Sequence, residues 1–283
     1  MLLDDSLPPK VKEEVRRKIG SFTESSPMGI NPLPSRLDAY EAVAERLFGR
    51  SEALLCEYYS DGGCGIWRYR NAVCATWFCK HTRGEISKNF WRDVRSFLLS
   101  VEESVSFSIA LRLGIPDTAI REHLAQSNPA EARAMELAPE IGRQSIEERW
   151  GSWVDDRVGY YLACARLKRE MSVEDAFQAG GARLHARMDL LTRSRMKLLS
   201  AEIPSRLRPN PVTIQNRGPD FIRLSTYSPY DPIEAPRALL DILPYFDGSP
   251  LESVKERLEA QLGVSLEHDF VRRLLDFGVL VAA

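Results

Sequence analysis

The chain has little histidine, no long apolar run and no excess of charge of either sign. Its 283 residues carry a formal net charge of −2, so no global positive field draws the protein to nucleic acid or to a membrane. No apolar run approaches the roughly 20 residues that a transmembrane helix requires. Residues 1–5 lack the positive start and long apolar stretch of a signal peptide. We therefore expect a cytoplasmic protein without a membrane partner.

Recognisable catalytic motifs are also absent from the sequence. An open non-haem iron site or a hydrolytic zinc site needs several histidine and carboxylate ligands. The only histidines are scattered along the chain, at His81, His123, His185 and His268. There is no phosphate-cradling glycine loop, no H-E-x-x-H motif and no serine or cysteine in a recognisable nucleophile motif. These absences indicate a protein that recognises a substrate and passes it to a separate enzyme.

The composition and the hydrophobic periodicity predict a mostly α-helical chain. An apolar content of 44% and a charged content of 28% are ordinary for a globular protein of one to three domains. We expect N-terminal helices and a cysteine-rich segment in 1–85, a helical body in 86–203 and an α+β domain in 204–283. Helical spacing predicts helices at 10–19, 36–48, 86–113, 117–125, 129–138, 145–169 and 172–199, the last with a weak point at Gly180 and Gly181.

Four of the five cysteines lie within 24 residues, at Cys56, Cys64, Cys74 and Cys79. In a reducing compartment such a cluster indicates metal ligands, redox groups or core residues before disulfides. A tetrahedral thiolate site requires four cysteines brought together by turns, and glycines on both sides of Cys64 permit close wrapping. The spacings differ from the C-x2-C pair of a zinc ribbon.

The preferred interpretation of the cluster is a structural zinc site. Four thiolates would close the coordination sphere, leaving no position for water or substrate. Three alternatives remain open at the sequence level. The cluster could hold an iron–sulfur centre, it could contain a redox pair, or Cys74 and Cys79 could be small core residues beside Trp77 and Phe78. His81 could also replace one of the cysteines as a ligand.

The last quarter of the chain has a different pattern, which follows a proline-rich linker at 203–211. Two short apolar segments, 211–215 and 221–224, precede three helical patterns at 238–243, 251–262 and 266–277, and the tail at 279–281 is apolar. The middle helix follows a capping box, Ser249 to Glu252, with Pro250 at the first helical position. Gly263 and Gly278 are expected to end the second and third helices. This order describes a small winged-helix α+β unit.

That order, with Leu-Pro-Tyr-Phe-Asp-Gly-Ser at 243–249 and Leu-Leu-Asp-Phe-Gly-Val-Leu at 274–280, resembles the RiPP recognition element, a PqqD-like domain of ribosomal peptide natural-product pathways. In that family a leader peptide adds as a strand to the edge of a small sheet and packs against the third helix. We expect 221–227 to form the edge strand and 266–277 the wall of the groove. The candidate peptide-binding residues are Phe221, Ile222, Arg223, Leu224, Ser225, Tyr227, Phe270, Arg272 and Arg273.

The two arginines of the third helix have two interpretations. Arg272 and Arg273 could pair with carboxylates of the leader, because a guanidinium holds a carboxylate in a bidentate manner. Alternatively, both side chains only make the helix surface soluble.

A helical body joined to a recognition element is also similar to the partner subunits of multinuclear non-haem iron oxidative enzymes, of which the 3-thiaglutamate pathway contains one. The resemblance implies a heterodimer with a TIM-barrel enzyme that holds the iron and oxidatively remodels a cysteine at the C-terminus of the precursor peptide. This chain would bind the leader and present that cysteine, without catalysing the reaction itself.

Two other function classes remain. One is a DNA-binding winged-helix regulator with a metal-binding cysteine cluster, and the other is an iron–sulfur metalloenzyme. From residue 206 onward, nine Lys and Arg face eleven Asp and Glu, a net charge of −2. Because a DNA-reading helix is normally surrounded by cations, this balance does not favour nucleic acid as the partner.

Overall fold

A computed structural model of the chain describes residues 1, 6–30, 36, 39, 52–60, 62–78, 80–125 and 143–283. This part is mostly helical, with small sheets near the C-terminus. The predicted helix over 36–48 is described only at positions 36 and 39, and the one over 129–138 lies outside the described residues. Within the ranges just given, none of the helices combines the length and the apolar sequence needed to cross a bilayer.

The chain divides into two compact units. The first comprises Met1–Ala72 and Leu99–His185, and the second comprises Val73–Leu98 and Ala186–Ala283. The boundaries expected after residues 85 and 203 both fall inside the second unit. The division itself falls within two long helices, so neither unit is a continuous stretch of sequence.

The first unit begins with a helix and two short hairpins. Its elements are α1 (Pro9–Gly20), β1 (Ser25–Ser26), β2 (Gly29–Ile30), β3 (Tyr59–Ser60) and β4 (Gly63–Cys64), with α2 (Ala72–Ala75) starting at its boundary. Helix α1 was predicted at 10–19, and it buries Val11, Val15 and Ile19 along one face. Lys18 is also buried and forms an ion pair with Glu57.

Helices make up the rest of the first unit. They are α3 (Gly84–Arg112), of which residues 99–112 belong to this unit, α4 (Asp117–Ala125), α5 (Arg143–Trp150), α6 (Arg157–Glu170) and the first part of α7 (Val173–Leu199). The break predicted near Gly180 and Gly181 is confirmed, since Gly181 has a φ of 52° and interrupts α7. The helix α4 has the predicted bounds.

The single helix predicted over 145–169 is wrong. Helix α5 ends at Trp150, a short 3-10 turn follows at Gly151–Trp153, and α6 begins at Arg157. Gly151 has a φ of 55°, which a right-handed helix does not accept, and Asp156 caps the new helix by accepting the backbone N–H of Gly159 at 2.8 Å. The break brings Trp150 against Tyr160, edge to face at 5.6 Å, in the core of this unit.

The second unit contains residues 84–98 of α3, residues 186–199 of α7 and all of the C-terminal elements. These are β5 (Leu207–Pro209), β6 (Thr213–Arg217), β7 (Phe221–Ser225), β8 (Ile233–Pro236), α8 (Leu239–Ile242), a 3-10 turn at Leu243–Tyr245, α9 (Leu251–Leu262), α10 (His268–Asp276) and β9 (Leu280–Ala282). A core of fifteen buried residues, from Leu207 to Leu280, joins the strands to the three helices.

Two antiparallel sheets organise this unit. One has the strand order β6-β7-β8, and the other pairs β5 with β9. The segment at 203–211 was expected to be a linker, but it contains β5, and the side chain of Leu207 lies in the core. Its pairing with the end of the chain explains why this proline-rich stretch is ordered.

Helix α9 has the predicted bounds and ends as expected at Gly263, whose φ is 65°. The predicted capping box at its start is not formed, because Pro250 is the N-cap residue and no side chain caps the helix. Instead, the backbone N–H of Ser249 donates to Oδ1 of Asp247 at 2.9 Å. Gly278, with a φ of 70°, follows the end of α10 as predicted.

Candidate functional site

The strand predicted to be an open edge is the central strand of its sheet. Phe221–Ser225, β7, pairs with β6 on one side and with β8 on the other. The prediction that 221–227 offers a free edge is therefore wrong. Both rows of backbone groups of β7 belong to the ladders of its own sheet, so an incoming peptide has no place beside it.

The side chains of β7 alternate between the core and the opposite face, as the period of a strand requires. Ile222 and Leu224 are fully buried in the core, and Ser225 is also buried. Phe221 is 40% exposed, and Arg223 is partly exposed. Of these candidate peptide-binding residues, only Phe221 and Arg223 have side chains on a surface that a ligand could contact.

The open edges of the three-stranded sheet belong to β6 and β8. β6 carries a bulge between Ile214 and Asn216, which interrupts its register with β7. Such a bulge protects an edge from further pairing. Among the described strands, β8 pairs only with β7, and its ladder is regular from Phe221↔Pro236 to Leu224↔Ile233.

The direction of the backbone groups of β8 follows from the hydrogen bonds at the end of the ladder. The N–H of Arg237 donates to the carbonyl of Asp220 at 3.0 Å, and this pair continues the register of β7 and β8. Bonded pairs alternate with non-bonded pairs in an antiparallel ladder. The N–H and C=O of Glu234 therefore point away from β7, toward the open edge.

Prolines limit what this edge can donate. The neighbouring outward positions along β8 are Pro232 and Pro236, and proline has no N–H. Glu234 consequently supplies the single outward N–H of this stretch, while all three residues supply outward carbonyls. An added strand would have only one register in which its own carbonyl meets a donor. This arrangement blocks unspecific edge-to-edge pairing and still permits one short, fixed pairing.

The side chain of Glu234 is exposed and forms an ion pair with Arg223. The Arg223 guanidinium donates from Nε to Oε1 of Glu234 at 3.1 Å and holds the pKa of that carboxyl below its usual value. The positive charges of Lys80 and Arg273 lower the same pKa further. Arg273 is exposed and projects from α10, with its guanidinium carbon 6.0 Å from the centre of the Phe277 ring.

Arg272 and Phe270, the other candidates on α10, are engaged in the fold. Arg272 donates from Nε to Oδ1 of Asp276 at 2.9 Å and from Nη1 to the carbonyl of Glu202 at 2.7 Å. Its side chain is only 14% exposed. The Arg272 guanidinium, expected to bind a carboxylate of the leader, instead binds the carboxylate of Asp276. Phe270 is half-buried and packs against the core.

Tyr227 lies beyond β7, where it belongs to a polar cluster. Its hydroxyl donates to Asp231, and burial together with that contact raises the pKa of Tyr227 above its usual value. The Nζ of Lys88 donates to the carbonyl of Tyr227 at 3.0 Å, and the N–H of His81 donates to Oδ2 of Asp231 at 2.8 Å. These contacts fix the loop between β7 and β8 and so position the edge strand.

The cysteine cluster is described only in part. Cys56 and Cys74 are exposed and Cys64 is half-buried, while Cys79 lies outside the described residues. Among the residues that the structure describes, no group of three or more His, Cys, Asp or Glu side chains is placed to hold a metal ion. The structural zinc site therefore stays a prediction that requires Cys79.

Neither the strand β8 nor a site at Glu234 was predicted from the sequence. The stretch Pro232–Ile–Glu–Ala–Pro236 alternates apolar and other residues with period two, and Ile233 and Ala235 are indeed buried. That alternation is the signal that could have identified β8, although two prolines within five residues argue against a strand in most contexts.

No protein-family model matches the chain, and neither a curated protein nor a solved structure matches it.

Proposed function

We propose that this chain is a non-catalytic partner protein that binds the leader of a ribosomal precursor peptide. It presents the cysteine-containing C-terminus of that peptide to a separate, iron-dependent oxidative enzyme. The observation that carries the proposal is the regular edge of β8, which no described strand covers and where the exposed Glu234 provides one outward N–H.

The order of elements in the C-terminal part supports a winged-helix domain of the RiPP recognition type. Three antiparallel strands, β6 to β8, precede three helices, α8 to α10, and the chain then returns as β9 to pair with β5. In the family that the sequence resembles, the leader adds to a sheet edge and packs against the third helix. In this proposal the roles of the edge strand and the groove wall belong to β8 and α10, rather than to β7 and α10.

The binding mode follows from the chemistry of this edge. A leader in extended conformation would accept a hydrogen bond from the N–H of Glu234 and donate one to its carbonyl. Arg223 neutralises the side chain of Glu234, and the exposed Arg273 on α10 supplies a further positive charge. An acidic side chain of the leader would pair with this arginine. Phe221, exposed on the outer face of the sheet, offers an apolar contact beside the strand.

The exposed surface of α10 supports a peptide over DNA as the partner. A helix that reads the major groove carries cations at its N-terminal end, where it meets phosphates and bases. The first turn of α10 instead exposes His268 and Asp269, and Glu267 precedes it. An acidic first turn would repel the phosphate backbone.

The oxidative chemistry is assigned to the partner. The resemblance to partner subunits of multinuclear non-haem iron enzymes supports a heterodimer in which a TIM-barrel enzyme holds the iron. A structural zinc at Cys56, Cys64, Cys74 and Cys79 remains part of the proposal for this chain.

The test uses the full-length protein and labelled leaders of cysteine-containing precursor peptides encoded beside its gene, with binding measured by fluorescence anisotropy. Glu234→Pro removes the single outward N–H, and the position tolerates proline because that N–H has no partner in the sheet. Glu234→Ala is the matched control, since it removes the same side chain and keeps the N–H.

We expect Glu234→Pro to weaken leader binding by roughly tenfold or more, which corresponds to about 1.4 kcal/mol, and Glu234→Ala to retain most of it. Arg273→Gln should weaken only leaders with an acidic residue at the paired position. Binding that survives Glu234→Pro unchanged would show that the leader does not add to β8, and no binding by the parent protein would remove the proposed function.

A further inference from the structure

A second sheet edge without a strand partner lies in the same unit, on β9. The N–H of Ala283 donates to the carbonyl of Arg206 at 3.1 Å, and the N–H of Asn210 donates to the carbonyl of Val279 at 3.0 Å. Both pairs continue the register of β5 and β9. By the alternation of an antiparallel ladder, the N–H and C=O groups of Leu280 and Ala282 point away from β5.

The other edge of this two-stranded ladder is covered. The N–H of Gly248 donates to the carbonyl of Leu207 at 3.1 Å, and the N–H of Leu251 donates to the carbonyl of Ser205 at 2.7 Å. A bridge between Arg206 and Pro250 continues this cover. Among the described residues, β9 therefore provides the second edge of the ladder. This edge is open at Ala282, which is exposed, whereas Leu280 is buried in the core.

The open edge of β9 borders a groove of about 890 Å³. Leu280, Val281 and Ala282 line one side of it, and the segment 200–204 and parts of α3, α7 and α10 line the rest. Its volume is within the range of ligand-binding clefts, about 300–1,000 Å³, and an added strand requires only about 4.8 Å of width beside β9. The apolar side chains in the groove are Ile86, Leu190, Ile203 and Leu275.

The wall formed by α7 is basic. Arg193 and Lys197 stand one turn apart, both line the groove, both are exposed, and neither forms an ion pair with any residue that the structure describes. By contrast, Arg272 in the same groove is paired with Asp276. The acidic side chains that line the groove lie on other elements, at Glu85, Asp93 and Glu202.

We propose that this groove binds an extended, acidic segment of a partner protein as a third strand on β9. The backbone of the segment pairs with Ala282, at the exposed end of β9, and its carboxylates meet Arg193 and Lys197 on α7. Alternate side chains of the added strand point to the apolar residues of the groove. The site is separate from the β8 edge, so it does not depend on leader binding there.

The backbone of β9, the apolar side chains of the groove and the two cations of α7 each contribute a different part of the specificity for the bound segment. Main-chain hydrogen bonds select an extended backbone without selecting a sequence. The apolar residues of α3 and α10 select an apolar side chain at every second position. The two cations on α7 select carboxylates and reject lysine or arginine at the positions that face them.

The experiment measures binding of a labelled peptide, Thr-Val-Glu-Leu-Glu-Val-Thr, to the full-length protein at low salt. A counterpart with lysine in place of both glutamates is the charge control. Ala282→Pro removes one outward N–H, and Ala282→Ser is its matched control because serine keeps the N–H. Arg193→Gln combined with Lys197→Gln removes the charge of the α7 wall and leaves the edge intact.

We expect the acidic peptide to bind at least roughly tenfold more tightly than its lysine counterpart. Ala282→Pro should weaken binding by a similar factor, and Ala282→Ser should leave it unchanged. The double glutamine variant should weaken binding and reduce its dependence on salt. Hydrogen exchange at the amide of Ala282 should slow when the peptide is added, a readout that does not depend on any variant folding well.

Three outcomes would overturn the inference. Equal affinity for both peptides would remove the charge selection, and unchanged exchange at Ala282 would remove the strand pairing. A concentration-dependent dimer that Ala282→Pro dissociates would assign the edge to a second copy of the chain. Loss of binding in Glu234→Pro but not in Ala282→Pro would place the peptide at β8, so this inference would fail while the proposed function would stand.

Discussion

Arg83 binds Asp276, which lies 193 positions further along the sequence. Its Nε and Nη2 each donate a hydrogen bond of 2.8 Å to the carboxylate. Asp276 is 6% exposed and also accepts a bond from Arg272 at 2.9 Å. Arg83 precedes α3 and Asp276 ends α10. This bidentate ion pair therefore joins two parts of the second unit that are far apart in the sequence. The buried carboxylate needs both cations, because a buried charge without compensation is strongly destabilising.

Arg83→Met should therefore destabilise the second unit by about 3 kcal/mol. The substitution keeps much of the apolar stem and removes both bonds to Asp276. The measurement is the free energy of unfolding from denaturant titration, together with hydrogen exchange in α10. Arg195→Met, at an exposed position of α7, is the control and should change stability by less than about 0.5 kcal/mol. Equal effects of the two substitutions would contradict the structural role of this ion pair.

Gly84→Ala should be more harmful than Gly263→Ala, although both glycines have a left-handed backbone. Gly84 has a φ of 51°, and a Cβ there would lie 2.6 Å from the carbonyl oxygen of Asp276. Gly263 has a φ of 65° and nothing within 4 Å of the added atom. We expect a loss of about 1–2 kcal/mol at Gly263 from the backbone alone, and a clearly larger loss at Gly84. Similar melting temperatures for the two variants would contradict the close approach at Gly84.

Acidification should destabilise the protein below about pH 6.5. Burial lowers the pKa of His81 in the second unit and of His123 in the first, each from the usual value of about 6.5. The contribution of these two histidines to stability is fully present above about pH 6.5, where both imidazoles are neutral in the folded chain and in the unfolded chain. It is lost as the pH falls toward the lowered pKa values, because the unfolded chain then binds more protons.

The measurement for this prediction is the free energy of unfolding between pH 7 and pH 5. The double variant His81→Gln, His123→Gln should show a shallower decline than the parent chain over that window. A decline of the same steepness in both proteins would assign the acid sensitivity to other groups.

The cysteine cluster should bind zinc if its four members meet. Elemental analysis of the purified protein is expected to show about one zinc per chain, lost when Cys64 and Cys74 are both changed to serine. Cys164→Ser is the control, because Cys164 packs against the core of the first unit, where burial raises the pKa of its thiol. A fully folded protein without metal would contradict this prediction, and a brown protein would favour the iron–sulfur alternative.

Short-range signals in the sequence predicted the helices of the C-terminal part well. The bounds of α9 were found because a regular apolar spacing continues up to Gly263, and this signal needs no information from distant residues. The end of α10 near Gly278 and the interruption of α7 at Gly181 were found for the same reason: glycine at a positive φ is a local property of the backbone.

Strand partners were predicted poorly. The apolar residues Ile222 and Leu224 correctly marked a strand, but nothing in their spacing indicates whether a strand has one neighbour or two. β8 and β5 were not predicted as strands because prolines interrupt both, and only pairing with β7 and β9 makes them strands.

By itself, therefore, the sequence determined the mostly helical character of this protein, the helix ends at glycine and the presence of strands in the last quarter, because each follows from neighbouring residues. Only the tertiary structure decided that Glu234 and Ala282, rather than Phe221–Ser225, face open edges, and that Arg272 is occupied by Asp276. Those facts depend on which distant segments meet, and side-chain periodicity specifies a face of each element without specifying its partner.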